Sequence, residues 1–177
     1  MHLHRGNLFL VGMPGCGKST LGRLLARRLD KLFYDADVEL ERRLGVSIAV
    51  IFELEGEQGF RDREEAVLAD LVGHSNIVLS TGGGVVLRPA NRERLKNGGT
   101  VLYLHATPDT LWERTRHSRH RPLLQAPDPY ARVQELYSSR DTLYREVADF
   151  VIESDREQVN RLAHRLEQQL RATAARA

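Results

Sequence analysis

The segment NLFLVGMPGCGKST, Asn7 to Thr20, limits the fold more than any other part of the chain. A short apolar run reads as a buried strand and leads into G-x-x-x-x-G-K-[ST], here Gly12 to Ser19. The motif opens KSTLGRLLARRL, Lys18 to Leu29, where Leu21, Leu24, Leu25 and Arg28 share one helical stripe. Arg28 can lay its stem along the edge of the core. Strand, glycine loop and helix in that order form the context in which this motif holds phosphate. The glycines let backbone N–H groups turn inward, and the helix N-terminus adds positive potential. Lys18 then reaches the β- and γ-phosphates, and the Ser19 hydroxyl is a magnesium ligand.

Four further apolar runs follow: LFYDAD (Leu32 to Asp37), NIVLS (Asn76 to Ser80), TVLYL (Thr100 to Leu104) and DFVIES (Asp149 to Ser154). Helical patterns separate them. They cover Val38–Leu44, Ile48–Glu55 and the segment EQGFRDREEAVLADLV, with Gly45 and Gly56 as punctuation. Others run from Pro89 to Leu95, Pro108 to about Thr115, and about Tyr130 to Val147. Ser154 and Glu157 have capping-box spacing ahead of the stripe Val159, Leu162, Ala163, Leu166 and Leu170. Five continuous apolar strands alternating with helices predict an α/β fold, a parallel sheet covered on both faces. Ligands in such sheets bind beyond the carboxyl ends of the strands, where the unusual segments fall.

The chain of 177 residues suffices for a single domain, and 41% hydrophobic with 28% charged residues suits a soluble globular protein. A formal net charge of +2 creates no overall field towards nucleic acid or membrane. The one cysteine, Cys16, excludes an intrachain disulfide and suits a reducing compartment. The first apolar run is too brief for a signal peptide, and no run approaches a membrane span, so a cytoplasmic enzyme is expected.

Several residues carry candidate chemistry. Asp35 and Asp37 close the second strand, where the pleat sets i and i+2 on one side; Asp37 is also placed to cap the next helix. One carboxylate could hold magnesium through water while the other accepts a hydrogen bond from an acceptor hydroxyl. FRDREE sets Arg61 and Glu64 at i, i+3. Either this is a charged helix face, or Glu64 orients Arg61 to grip a planar carboxylate. TGGG, Thr81 to Gly84, implies close passage of backbone by a ligand, positive φ, or a flexible turn. Arg114 to Arg121 holds four arginines and two histidines and reads either as a lid bringing arginine to a transferring phosphoryl group or as a nucleic-acid contact. Cys16 within the phosphate loop is a small gap-filler or an oxidisable thiol. Arg140, in RDTLYREV, shows nothing in its own pattern beyond a surface charge.

The ordered series GMPGCGKSTLGR, FYDADVELE, IFELEGEQGFRDREE, STGGGVV, RPLL and SSRDTLYREVA resembles shikimate kinase, from about Asn7 to the final helix. That resemblance implies a three-layer P-loop kinase fold with a five-stranded parallel sheet, helices on both faces and a mobile lid. In one domain, 1–177, it sets the phosphate loop at 12–19, a substrate-binding region at about 35–65 and the lid at about 114–127. It implies phosphoryl transfer from ATP to the 3-hydroxyl of shikimate, with Mg²⁺ as cofactor. By motif, Gly12, Met13, Pro14, Gly15, Cys16, Gly17, Lys18, Ser19 and Thr20 hold ATP, with Arg114 beside the adenine and Arg121 as the lid arginine. Ser19 and Asp35 serve the metal. Asp37 holds the shikimate hydroxyls and is the candidate base, while Lys18 and Arg121 neutralise charge. Arg61 and Arg140 grip the shikimate carboxylate, Glu64 supports Arg61, and Gly82, Gly83 and Gly84 line the pocket. Cys16 stands where the family leads one to expect alanine or serine.

Two rivals remain at this level: a gluconate-type small-molecule kinase, and a non-catalytic nucleotide- or RNA-binding module using the basic lid. The expected partners are ATP and shikimate, with no nucleic acid and no membrane, and the chain is expected to act as a monomer.

Overall fold

Strand β1, Leu8–Val11, is buried along its whole length, as a strand at the centre of a sheet must be. The computed structural model describes residues 6–117, 126–155 and 157–174. Around β1 lie β2 (Leu32–Asp35), β3 (Ile77–Ser80), β4 (Thr100–His105) and β5 (Phe150–Glu153). The five strands order as β2-β3-β1-β4-β5, and every neighbouring pair is parallel. The register pairs Leu10 with Ser80 on one side and Leu102 on the other, which brings the strands' carboxyl ends to one edge.

The connections are helical: α1 (Lys18–Leu29), α2 (Ala36–Leu44), α3 (Ile48–Leu71), α4 (Pro89–Gly98), α5 (Pro108–Thr115), α6 (Pro129–Val147) and α7 (Val159–Ala174). Helices α1 and α7 pack together on one face, and α3, α4 and α6 cover the other, giving three layers. The stripe expected in α1 is realised, with Leu21 and Leu25 buried and Arg28 reaching Glu167 of α7 at 3.3 Å. Fully buried Phe9, Leu10, Val78, Leu79 and Val101 form the middle of the core. Among the described residues no helix is long and apolar enough to cross a membrane.

Three local expectations need correction. The second strand ends at Asp35, and Asp37 lies in the first turn of α2. Asp35 is the cap: its Oδ1 accepts from the N–H groups of Asp37 and Val38 at 3.1 and 3.3 Å. Ser154 and Glu157 form no capping box, since α7 begins only at Val159. Their side chains are taken by Arg114 and Arg165 respectively. The break expected at Gly56 is a kink within α3, where φ 68° and ψ −174° interrupt the helical backbone. Unforeseen was the short 3-10 turn Val85–Leu87 after the glycines.

Candidate active site

The phosphate loop depends on glycine at three positions. Gly12, Gly15 and Gly17 take φ of 148°, 86° and 100°, values that a side chain would strain. A Cβ at Gly12 would also come within 2.6 Å of the Leu104 carbonyl oxygen, and one at Gly15 within 2.4 Å of Thr115 Cγ2. Lys18 is buried and curls back over the loop, donating to the carbonyls of Gly12 and Met13 at 2.8 and 3.1 Å. Cys16 is buried too, its Sγ 3.7 Å from Lys18 Nζ and close against Gly12, so it fills a gap in the loop's interior. Arg114 ties the outside of the loop down, donating to the Cys16 carbonyl at 3.4 Å and to the Ser154 carbonyl at 3.3 Å.

At the start of α1 the Ser19 hydroxyl donates to Asp35 Oδ2 and lies 3.1 Å from the buried Ser80 hydroxyl. These are hard oxygen donors at the end of the phosphate loop, the kind that suits Mg²⁺ completed by phosphate oxygens and water. Among the described residues there is no group of three or more His, Cys, Asp or Glu side chains that could hold a metal by themselves. A site sharing its ion with nucleotide is consistent with that. Ser80, at the end of β3, was not singled out in the sequence, where a serine closing an apolar strand carries no distinctive pattern.

Across the cleft, Asp37 is half-buried, its carboxyl held up at about 6. Burial is the main cause, with the neighbouring Glu64 and Asp35 charges adding to it against Lys18 and Arg61. Glu64 is also pushed up by burial, although Arg61 beside it favours the charged form. Arg61 Nη1 donates to Glu64 Oε2 at 2.8 Å, and Arg61 Nη2 to the more exposed Glu57 at 3.2 Å. The i, i+3 pair thus lies on the buried face of α3, with Arg61 4% and Glu64 5% exposed, and not on a solvated face.

Arg140 is more deeply buried still, at 2% exposure, on the face of α6 that carries Val133, Leu136, Tyr144 and Val147. Burial pulls its pKa down, and the nearby Arg61 charge adds to that effect. Arg140 Nε and Nη1 and Arg61 Nε are buried without a hydrogen-bond partner, as is Glu64 Oε1.

The three glycines after β3 fit between these groups. Thr81 anchors the segment, its N–H and hydroxyl both donating to the Leu10 carbonyl. None of the three has positive φ. What they provide is space. A Cβ at Gly84 would lie 2.3 Å from both Arg61 Nη atoms, and one at Gly82 2.5 Å from Glu64 Oε1 and 3.0 Å from Asp37 Oδ1. At Gly83 it would strike Pro14 of the phosphate loop at 2.7 Å. The Gly83 carbonyl accepts a hydrogen bond from Tyr144. Glu57 and Tyr144 lie within IFELEGEQGFRDREE and SSRDTLYREVA, but the resemblance assigns a role only to the arginine one helical turn from each. Arg121 lies outside the described residues.

The geometry therefore gathers a phosphate loop, an acidic pair with one carboxyl near neutrality, and two buried arginines that each keep N–H groups without a hydrogen-bond partner. The shikimate kinase family model matches residues 14–171. A shikimate kinase of Cupriavidus pinatubonensis is 58% identical over 170 residues, 96% of this chain and 88% of that relative. The solved shikimate kinase from Acinetobacter baumannii in complex with shikimate has a TM-score of 0.92 at 43% identity, over 95% of this chain and 94% of that one. A gluconokinase from Sinorhizobium meliloti reaches a TM-score of 0.55 at 17% identity, over 97% of this chain and 99% of that one, a likeness of fold alone.

Proposed function

The chain belongs to the shikimate kinase family, and from that premise we propose that it transfers the γ-phosphoryl group of ATP to the 3-hydroxyl of shikimate. The products are shikimate 3-phosphate and ADP. The observation that carries this reading is the pair Arg61 and Arg140, buried with N–H groups that have no partner in the protein. Buried donors are almost always satisfied, and although Arg61 pairs with Glu64 and Glu57, no carboxylate of the described residues bonds Arg140. A planar carboxylate satisfies guanidinium forks better than a single point charge does. Family membership selects the cyclic acid over gluconate. The non-catalytic alternative leaves Asp37 without a task.

The geometry supports the following roles. Lys18 would exchange its loop carbonyls for β- and γ-phosphate oxygens, and the inward-facing N–H groups of residues 12–20 would hold the rest of the triphosphate. Ser19 and Asp35 would hold Mg²⁺, which when bound would supply charge that neutralises the phosphates. Arg61 and Arg140 orient the acceptor by its carboxylate, Glu64 holds Arg61, and Gly82 to Gly84 let the ring approach. Asp37 accepts the proton of the acceptor hydroxyl; a carboxyl held near 6 is charged at neutral pH yet more basic than an ordinary aspartate. With a loose transition state, catalysis is mostly positioning and charge neutralisation, to which Arg121 of the lid at 114–127 would contribute. Arg114 would stand at the adenine side. Every group named belongs to one chain, so a monomer suffices, and a cytoplasmic location suits ATP use and a buried unpaired thiol.

The test is ADP release from Mg·ATP with shikimate, gluconate or AMP as acceptor. Release that depends on shikimate alone supports the proposal. Equal release without acceptor, or with gluconate only, refutes it.

A further inference from the structure

One buried titratable group beside the acid pocket has no part in the mechanism above. Tyr144 is fully buried, one turn after Arg140 on the same face of α6. Its hydroxyl donates to the Gly83 carbonyl. Its ring lies 5.0 Å from that of Tyr103 with an interplanar angle of 32°, and Tyr103 is itself pinned by its hydroxyl to Asp141 at 2.8 Å. The Tyr144 side chain lies beside the Arg140 guanidinium and favours its charged form. Gly83 in turn rests against Pro14 of the phosphate loop. The phenol is therefore fixed at its ring and at its oxygen, one turn from Arg140 on the same buried face.

We propose that Tyr144 is the positioning residue for the acid-binding arginine: its hydroxyl, anchored on Gly83, holds the Arg140 guanidinium towards the acceptor's carboxylate and so makes the site select for an acid. The inference rests on the acceptor reading given above. An arginine side chain has many rotamers, and the Arg61 charge nearby disfavours holding a second guanidinium in the same pocket. Glu57 and Glu64 oppose that repulsion through their charge, but neither hydrogen-bonds Arg140. Of the groups on α6 that face Arg140, the Tyr144 hydroxyl has an acceptor lone pair to spare while its proton is committed to Gly83. A phenylalanine would keep the ring and its packing but remove the tether, leaving Arg140 free to turn away.

The test compares wild type with Tyr144→Phe on two acceptors: shikimate, and the analogue in which the carboxylate is reduced to a primary alcohol. Loss of one hydrogen bond to a charged partner predicts a KM for shikimate raised about 10- to 100-fold. The KM for ATP and that for the alcohol stay near wild type, so preference for the acid collapses. A purely structural role would lower the melting temperature and weaken both acceptors alike, and that result overturns the proposal. So does an unchanged preference for the acid. A second readout is the Arg140 Nε–H resonance in ¹⁵N NMR of the ligand-free protein. It should be a distinct, slowly exchanging signal in wild type and averaged in Tyr144→Phe; identical signals in both refute the tether. Failure of wild type to use shikimate at all is a separate result, which removes the acceptor reading and this inference together. Normal wild-type turnover with an acid-selective Tyr144→Phe enzyme refutes this inference alone.

Discussion

Replacing Asp37 by asparagine should stop the enzyme and stabilise the fold at once. Burial and the Glu64 and Asp35 charges lift the carboxyl from 3.8 to about 6 in the folded chain. The folded state therefore holds the proton more tightly than the unfolded one. Stability contributed by that protonated carboxyl is present below pH 3.8 and is lost as pH rises through about 6. Keeping such a carboxyl charged at pH 7.5 costs the fold about 3 kcal/mol, an upper bound because Asp37 is only half-buried. For a chain of 177 residues this is a rise in Tm of at most about 6–12 °C for the ligand-free variant. As general base Asp37 contributes about 10² to 10⁴ in turnover, which the variant would lose. Thermal melts at pH 7.5, 6 and 4, with initial rates at pH 7.5, test both halves. The stabilisation should shrink steadily towards pH 4. A variant no more stable than wild type at pH 7.5, or equally stabilised at every pH, would refute the view that Asp37 is kept charged at a cost. Lost shikimate affinity with turnover intact would make it a binding residue only.

The other predictions concern neighbours of the same cleft. Gly84→Ala should fold, because the atoms its Cβ meets at 2.3 Å are the far end of the Arg61 side chain and not backbone. Shikimate KM should nevertheless rise about tenfold or more while that for ATP stays put, a split read from initial rates; equal effects on both would contradict the assignment. Asp35→Asn should keep the helix cap and the Tm, whereas Asp35→Ala loses about 1 kcal/mol of stability. Both should raise the Mg²⁺ concentration needed for activity, and an unmoved Mg²⁺ requirement would remove Asp35 from the metal's surroundings. Glu57, 3.2 Å from Arg61 Nη2, stands where an acceptor carboxylate would compete for the same fork. Calorimetry on Glu57→Gln should therefore show shikimate binding tightened by up to about fivefold, the worth of a half-exposed ion pair. Weaker binding would mean that Glu57 supports the fork.

Elements with strong periodicity were legible before any coordinates. The boundaries of α1, Lys18 and Leu29, follow from the loop motif at one end and the end of the leucine stripe at the other. The strands are legible because buried parallel strands read as unbroken apolar runs, as β1 and β3 do. What failed were one-residue questions of backbone geometry. The alternation of Asp35 and Asp37 fits a strand end, yet the carboxylate of Asp35 turns the chain into a helix two residues earlier by taking two free N–H groups. Burial was legible only in part. Arg61 and Glu64 fall on the stripe of Phe60, Val67, Leu68 and Leu71, so the helical period itself marks them as buried charges. Arg140 lies likewise on the stripe of Val133, Leu136, Tyr144 and Val147, although its local pattern resembles that of a surface charge. Ser80, Glu57 and Tyr144 lie within the segments that carry the resemblance but receive no role from it; their importance comes from what other segments bring to them.

The central claim is that Arg61 and Arg140 hold one carboxylate. Calorimetric titration of shikimate into wild type, Arg61→Lys, Arg140→Lys and the double variant tests it most directly. An ammonium cannot reproduce the planar fork, so each single change should weaken binding by about tenfold or more. The double variant should fall well short of the product of the two, because both arginines serve the same group. Independent, multiplying losses would mean that they hold different groups, and unchanged binding in either single variant would contradict the account.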